Sequence, residues 1–194
     1  MDVPSFLTYT LLTAYTPGPN NIMALGNASR DGLRRTLPFL AGILVGFTLV
    51  MGLCAMLTAI LFNLIPAIEP YMLAIGAGYL VHLAWTVWID RSKPNSGKGM
   101  HSNSFLAGAM LQLVNVKIML YGVTALSSFV LPHYRNPGPV AGFSLLLAVI
   151  GLSGSVAWAV FGSLIEQVFQ RRRRLVNATM AVLLLYCAVS LYLK

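Results

Sequence analysis

The chain alternates long apolar runs with short polar ones, and the apolar runs set its architecture. No Asp, Glu, Lys or Arg occurs from Val3 to Ser29, Thr36 to Ile68, Pro70 to Ile89, Gly99 to Val116, Ile118 to Tyr134, Asn136 to Ile165 or Leu175 to Leu193. A membrane-crossing helix needs about 20 apolar residues, and a lone Lys117 is too short an interruption to turn the chain around. The pattern predicts six transmembrane helices, at roughly 5–26, 37–61, 70–89, 105–131, 140–165 and 175–193. The expected fold class is all-α. Nothing is left over for a soluble domain, so residues 1–194 read as a single transmembrane domain. The first segment lacks a basic leader and a small-residue cleavage site, so it reads as a retained span.

Two polar interruptions fall inside these runs. Residues 15–22, YTPGPNNI, place two prolines, a glycine and two asparagines in the middle of the first segment. A proline removes a backbone donor and clashes with the preceding turn, so Pro17 and Pro19 around Gly18 should split this helix at TPGP. Freed backbone groups are costly in hydrocarbon unless they line an enclosed or watery cavity. The break therefore implies a cavity, edged by Thr16, Pro17, Gly18, Asn20 and Asn21. Its carbonyls and amides suit a small polar solute, and a half-helix N-terminus attracts a carboxylate. The plainer alternative is a proline kink with no cavity.

Lys117 is the second interruption, near the middle of segment 105–131. A charged lysine at a helix centre costs about 2.5–3.5 kcal/mol even on the lenient insertion scale. Asp31, Glu69, Asp90 and Glu166 all lie at span ends or in loops, which leaves a ligand carboxylate as the natural partner. The alternative is a lysine satisfied by backbone carbonyls at the break in the first helix. The two interruptions are related in sequence, because SFL at 5–7 recurs as SFL at 104–106, and the same offset of 99 carries Thr16-Pro17-Gly18 onto Asn115-Val116-Lys117. Three spans per half make the halves, about 1–92 and 103–194, two inverted three-helix repeats, an arrangement of many secondary transporters. Ser92 to Ser104 is the linker between them.

Composition agrees with the pattern: 57% of residues are hydrophobic and 9% charged, and mean hydropathy is +0.76, which no soluble surface could carry. Charge adds orientation. Arg30, Arg34, Arg35, Arg91, Lys93, Lys98 and Arg171 to Arg174 make up 10 of the 13 basic residues and follow segments 1, 3 and 5. The positive-inside rule makes those loops cytoplasmic and places both termini outside. Lipid headgroups account for the tetra-arginine at 171–174, so the net charge of +8 does not call for a nucleic-acid partner.

These motifs together resemble the LysE/RhtB family of amino-acid exporters. The likeness runs through TPGPNN, Ala41-Gly42-x-x-x-Gly46, GAGYL at 76–80, Phe105-x-x-Gly108 and Leu113-x-Asn115-Val116-Lys117. It implies a secondary transporter that carries small neutral amino acids out of the cytoplasm. The run QLVNVKIMLYGVTALSSFVLP, 112–132, is most similar to members that export cysteine and O-acetylserine; exporters of homoserine or threonine share the other motifs. Most members carry Asn-Pro-Lys at 115–117, and many carry an aspartate at the position of Asn20. With valine at 116 the fourth helix loses its forced break. In a continuous helix Asn115 and Lys117 lie about 200° apart, so only one could face the cavity. Lys117 is the expected one, with Tyr121 one turn further on. Gln112 and Asn115 would share a small-residue face with Gly108 and Gly122 that packs on a neighbour. The candidate substrate-binding set is Thr16, Pro17, Gly18, Asn20, Asn21, Asn115, Lys117 and Tyr121.

Asn20 removes an obvious proton carrier, and His82, expected at mid-depth in the third helix, is the candidate for proton coupling; a neutral histidine bonded between helices is its alternative. His101 and His133 lie in loops without metal-ligand spacing, so no metal is expected. Cys54 and Cys187 read as packing residues. The chain has no deep acid pair, no Ser/His pair at helical spacing and no phosphate-binding loop, so neither an enzyme nor direct ATP use is expected, and no cofactor. The Gly42-x-x-x-Gly46 spacing permits close contact inside the bundle or across a homodimer. The remaining partners expected are the substrate and membrane lipids.

Overall fold

A computed structural model describes residues 1–89, 103–134, 136–165 and 173–190. Among the described residues the regular structure is helical, with no strand. Helix α1, Val3–Tyr15, starts where the Asp2 carboxylate accepts the Ser5 N–H at 3.3 Å and a proline occupies the first turn. It stops at Thr16, whose extended conformation (ψ 150°) is the one favoured before a proline. Gly18 is also extended, and α2, Pro19–Asp31, begins on the next proline and ends at Gly32, which takes a positive φ of 82°. The break expected at TPGP is present.

Helix α3, Leu33–Ile89, covers both expected spans 37–61 and 70–89 without an interruption. The stretch expected to separate them continues the helix, with Pro66 and Pro70 lying within it. Its 57 residues make about 85 Å at 1.5 Å per residue, more than twice the hydrocarbon thickness. The linker at 92–104 falls almost wholly outside the described residues, as do Arg91, Lys93, Lys98, Arg135, Arg171, Arg172 and Lys194.

The fourth helix, whose continuity the sequence left open once valine stood at 116, is broken. Helix α4, Phe105–Val114, opens on Ser104, whose hydroxyl accepts the Ala107 N–H at 3.1 Å, and ends at Asn115. Asn115 is extended (φ −87°, ψ 92°), and α5, Val116–Ala125, leaves it at an angle and continues into a π-helical turn, Leu126–Val130. The bend between the two pieces is 65°. Helices α6, Pro137–Leu164, and α7, Arg173–Ser190, complete the bundle. Among the described residues, Leu33–Met56 and Pro137–Leu164 are each long and apolar enough to cross a membrane, and the bent pair Phe105–Val114 and Val116–Val130 passes the same test only when its two pieces are taken together.

Helix α3 packs on α4, α5, α6 and α7, while α1 and α2 pack on α6. Phe6, Phe39, Ile43, Met51, Leu111, Leu126, Leu147 and Leu184 fill the core, and many large apolar side chains such as Leu12, Leu49, Met56 and Trp85 stay on the outside, which suits contact with lipid tails. The closest crossing is that of α3 and α4. A Cβ on Gly42 would overlap the Phe105 carbonyl, one on Gly46 would lie 2.7 Å from the Ala109 carbonyl oxygen, and one on Gly108 would overlap the Phe39 carbonyl. The Gly42/Gly46 pair is thus used inside the bundle. Cys54 and Cys187 are buried and are not joined in a disulfide.

Candidate functional site

Breaking α1 leaves its last carbonyls without helical partners, and side chains from three other elements supply them. The Thr13 carbonyl accepts the Thr16 hydroxyl at 3.0 Å, and Asn21 donates its amide to the Ala14 and Thr16 carbonyls at 2.8 and 2.9 Å. The Tyr15 carbonyl accepts the Trp158 indole N–H at 3.0 Å. Lys117 completes the set: its Nζ donates to the Thr16 carbonyl at 3.1 Å, to the Thr16 hydroxyl at 3.0 Å and toward the Pro17 carbonyl at 3.4 Å. Polar groups freed at membrane depth are costly unless paired, and here the pairing is made residue by residue.

Lys117 therefore has the partners that the alternative reading gave it, carbonyls at the break in the first helix. They are neutral oxygens at the negative end of a helix dipole, which favours a cation but does not neutralise it. Gly18 allows the approach, since a Cβ there would lie 3.0 Å from the Lys117 Nζ.

Across from α1, the second break is held by amides. Asn20 on α2 donates to the Gln112 Oε1 at 2.8 Å and accepts from the Gln112 Nε2 at 3.2 Å and the Asn115 Nδ2 at 3.1 Å. Gln112 also donates to the Gly108 carbonyl at 2.8 Å. All three side chains are buried. Asn115 thus leaves the helical path to reach Asn20, and this contact takes the part that a proline would have played.

The two breaks meet at a cavity with about 350 Å³ of empty space, counting its open side. Six of the candidate residues line it: Gly18, Asn20, Asn21, Asn115, Lys117 and Tyr121. Thr16 and Pro17 sit behind it, their oxygens taken up by Lys117. The bend at Asn115 brings Asn115 and Lys117 to one site, which a straight helix could not do. Thr13, Phe47, Ile118, Gly151 and Ser155 also line the cavity. Ser155 donates to the Asn21 Oδ1 at 3.0 Å, and a lone serine in an apolar helix carried no signal of that role. Gln112, read as a packing residue, is the partner of Asn20.

Among the described residues no carboxylate lines the cavity. Lys117 supplies one positive charge, and the first turns of α2 and α5 present backbone N–H groups that the broken helices leave free, so a carboxylate is the group this surface favours. His82 is exposed on α3 and does not line the cavity, so it is not brought to the site as expected. His133 is exposed and bonds the Phe129 carbonyl at 3.2 Å; His101 lies outside the described residues. Among the described residues no group of three metal-ligating side chains forms.

Comparison with known proteins bears on the whole chain. Residues 11–194 match the family described as LysE type translocator. A cysteine/O-acetylserine efflux protein of Klebsiella pneumoniae subsp. pneumoniae is 47% identical over 193 residues, covering 99% of this chain and 97% of that protein. Proteins of the same name from Escherichia coli O139:H28 and Shigella flexneri serotype 5b are each 46% identical over 190 residues, covering 97% of this chain and 96% of each relative. No solved structure matches.

Proposed function

This chain belongs to the LysE type translocator family, and we propose that it is a secondary transporter exporting small neutral amino acids from the cytoplasm across the inner membrane. Cysteine and O-acetylserine are its substrates, the activity for which the similar full-length relatives are named. The observation that carries this reading is the cavity between two broken helices with Lys117 at its edge. In the proposed pose the substrate carboxylate meets the Lys117 ammonium and the start of α5. Asn20, Asn21 and Asn115 fix the walls and complete the polar contacts.

The two halves of the chain act as two inverted repeats. Two features support this: the breaks at Thr16–Gly18 and Asn115 lie at matching places in the halves, and each broken element packs on the long helix of the other half, α1 on α6 and α4 on α3. Such repeats place a substrate near the bilayer midplane at broken helices.

The test is counterflow in proteoliposomes loaded with unlabelled solute. Labelled cysteine and O-acetylserine should accumulate transiently against their gradient, with homoserine and threonine weaker. Preferential exchange of homoserine or threonine would move the substrate assignment, and equilibration without overshoot for every solute would identify a passive pore instead.

A further inference from the structure

The cavity has two levels, set by helical spacing. On α5, Tyr121 lies one turn beyond Lys117; on α6, Leu147, Gly151 and Ser155 follow one another at single-turn intervals. Ser155 belongs to the polar level, bonded to Asn21. Tyr121 belongs to the other level, donating its hydroxyl to the Leu147 carbonyl at 3.3 Å. One turn is about 5.4 Å, roughly the reach from the carboxylate of a small amino acid to the end of its side chain. A substrate with its carboxylate at Lys117 therefore directs its side chain to the level of Tyr121.

The wall at that level is aromatic and braced. Tyr121 is held from two sides, stacked on Tyr9 at 6.1 Å and 15° and edge-on to Phe47 at 5.8 Å and 88°. Phe47 is only 4% exposed, and it sits so close to α6 that a Cβ on Gly151 would overlap its ring. Tyr121 is pinned by its hydroxyl as well as its ring. Phe47 has no polar anchor, and its place depends on the missing side chain at Gly151.

We propose that Phe47, seated on Gly151, sets the upper size of the amino-acid side chain that the cavity accepts. The inference rests on the cavity being the substrate site. Truncating the ring lengthens the cavity at its apolar end, where each added methylene of a substrate gains by leaving water. Adding a Cβ at position 151 displaces the ring, and the free space bordering Phe47, Gly151 and Tyr121 alike is the cavity, which would shorten.

Purified wild-type, Phe47→Ala, Phe47→Leu and Gly151→Ala proteins would be compared in proteoliposome counterflow with cysteine, O-acetylserine, methionine and leucine. Rates are taken as ratios to cysteine within each protein, so that loss of folded carrier cancels. Phe47→Ala should raise the methionine and leucine ratios at least tenfold, with Phe47→Leu between it and wild type. Gly151→Ala should lower the O-acetylserine ratio at least threefold, since this is the longer of the two substrates. Phe47→Leu serves as the size test if the alanine variant is not monodisperse in detergent. Ratios within twofold of wild type in the folded variants would overturn the inference and leave the proposed function standing. A wild-type protein that exchanges none of the four would overturn both.

Discussion

Asn20 and Gln112 meet as a reciprocal amide pair, each donating to the other's oxygen, at 2.8 and 3.2 Å. The pair joins the first turn of α2 to the last turn of α4, so two helices that both end in mid-bundle are fixed to one another at their loose ends. Asn115 donates to the same Asn20 oxygen and makes the cluster three-membered. None of the three carries a charge. The polar heart of the cavity is thereby built without an ionisable group, and Lys117 is left as the charged side chain of the lining.

A double-mutant cycle tests that pairing. Asn20→Ala and Gln112→Ala should each lower stability by about 1–3 kcal/mol, because each leaves a buried amide unmatched. The double variant should lose about 1 kcal/mol less than their sum, within the range found for polar pairs in membrane proteins. Denaturant unfolding in detergent gives the three values, and strictly additive losses would mean that the two amides do not act together.

Lys117→Met separates substrate binding from structure. The Thr16 carbonyl keeps Asn21 as a partner, so membrane abundance should stay within about twofold of wild type. Export per molecule should collapse, since a hydrogen bond to a charged group contributes about 1.5–3 kcal/mol, roughly 10- to 150-fold in affinity. Lys117→Arg keeps the charge but puts a planar fork where a compact ammonium fits between Thr16 and Gly18, so export should be weakened too. Efflux and abundance are measured on the same cells; a methionine variant exporting normally would remove Lys117 from the site.

Glycines at helix crossings should differ sharply from glycines facing outward. Gly108→Ala pushes α4 off the Phe39 backbone and should cost about 1–3 kcal/mol. Gly142→Ala meets nothing within 4 Å and should stabilise by up to about 1 kcal/mol through helix propensity. Melting temperatures in detergent compare the two, and equal shifts would deny the close α3–α4 crossing.

For topology, a reporter fused after Lys194 should be active in the periplasm, and one inserted near Ser96 should be active in the cytoplasm. The opposite pattern would invert the assignment.

What the sequence disclosed follows from how local its causes are. Pro17 and Pro19 break a helix by their own covalent structure, so the first break could be read directly. The second break could not, because valine at 116 tolerates a helix and the force that bends the chain comes from Asn20, nearly a hundred residues away. Ser155 and Phe47 were invisible for the same reason: a serine or phenylalanine in an apolar helix gains its role from what packs beside it. Lys117 was conspicuous by its charge, but only the fold could show its bonds to the end of α1.

The two breaks differ in one chemical respect with mechanical consequences. At the first, Pro17 and Pro19 have no amide hydrogens to give, so no rotation of the chain can restore the missing rungs between α1 and α2. At the second, Asn115, Val116 and Lys117 keep theirs, and turning the backbone at Asn115 from ψ 92° to a helical value would let the ladder close through α4 and α5. The first joint can never become a continuous helix, whereas the second keeps every donor that it would need.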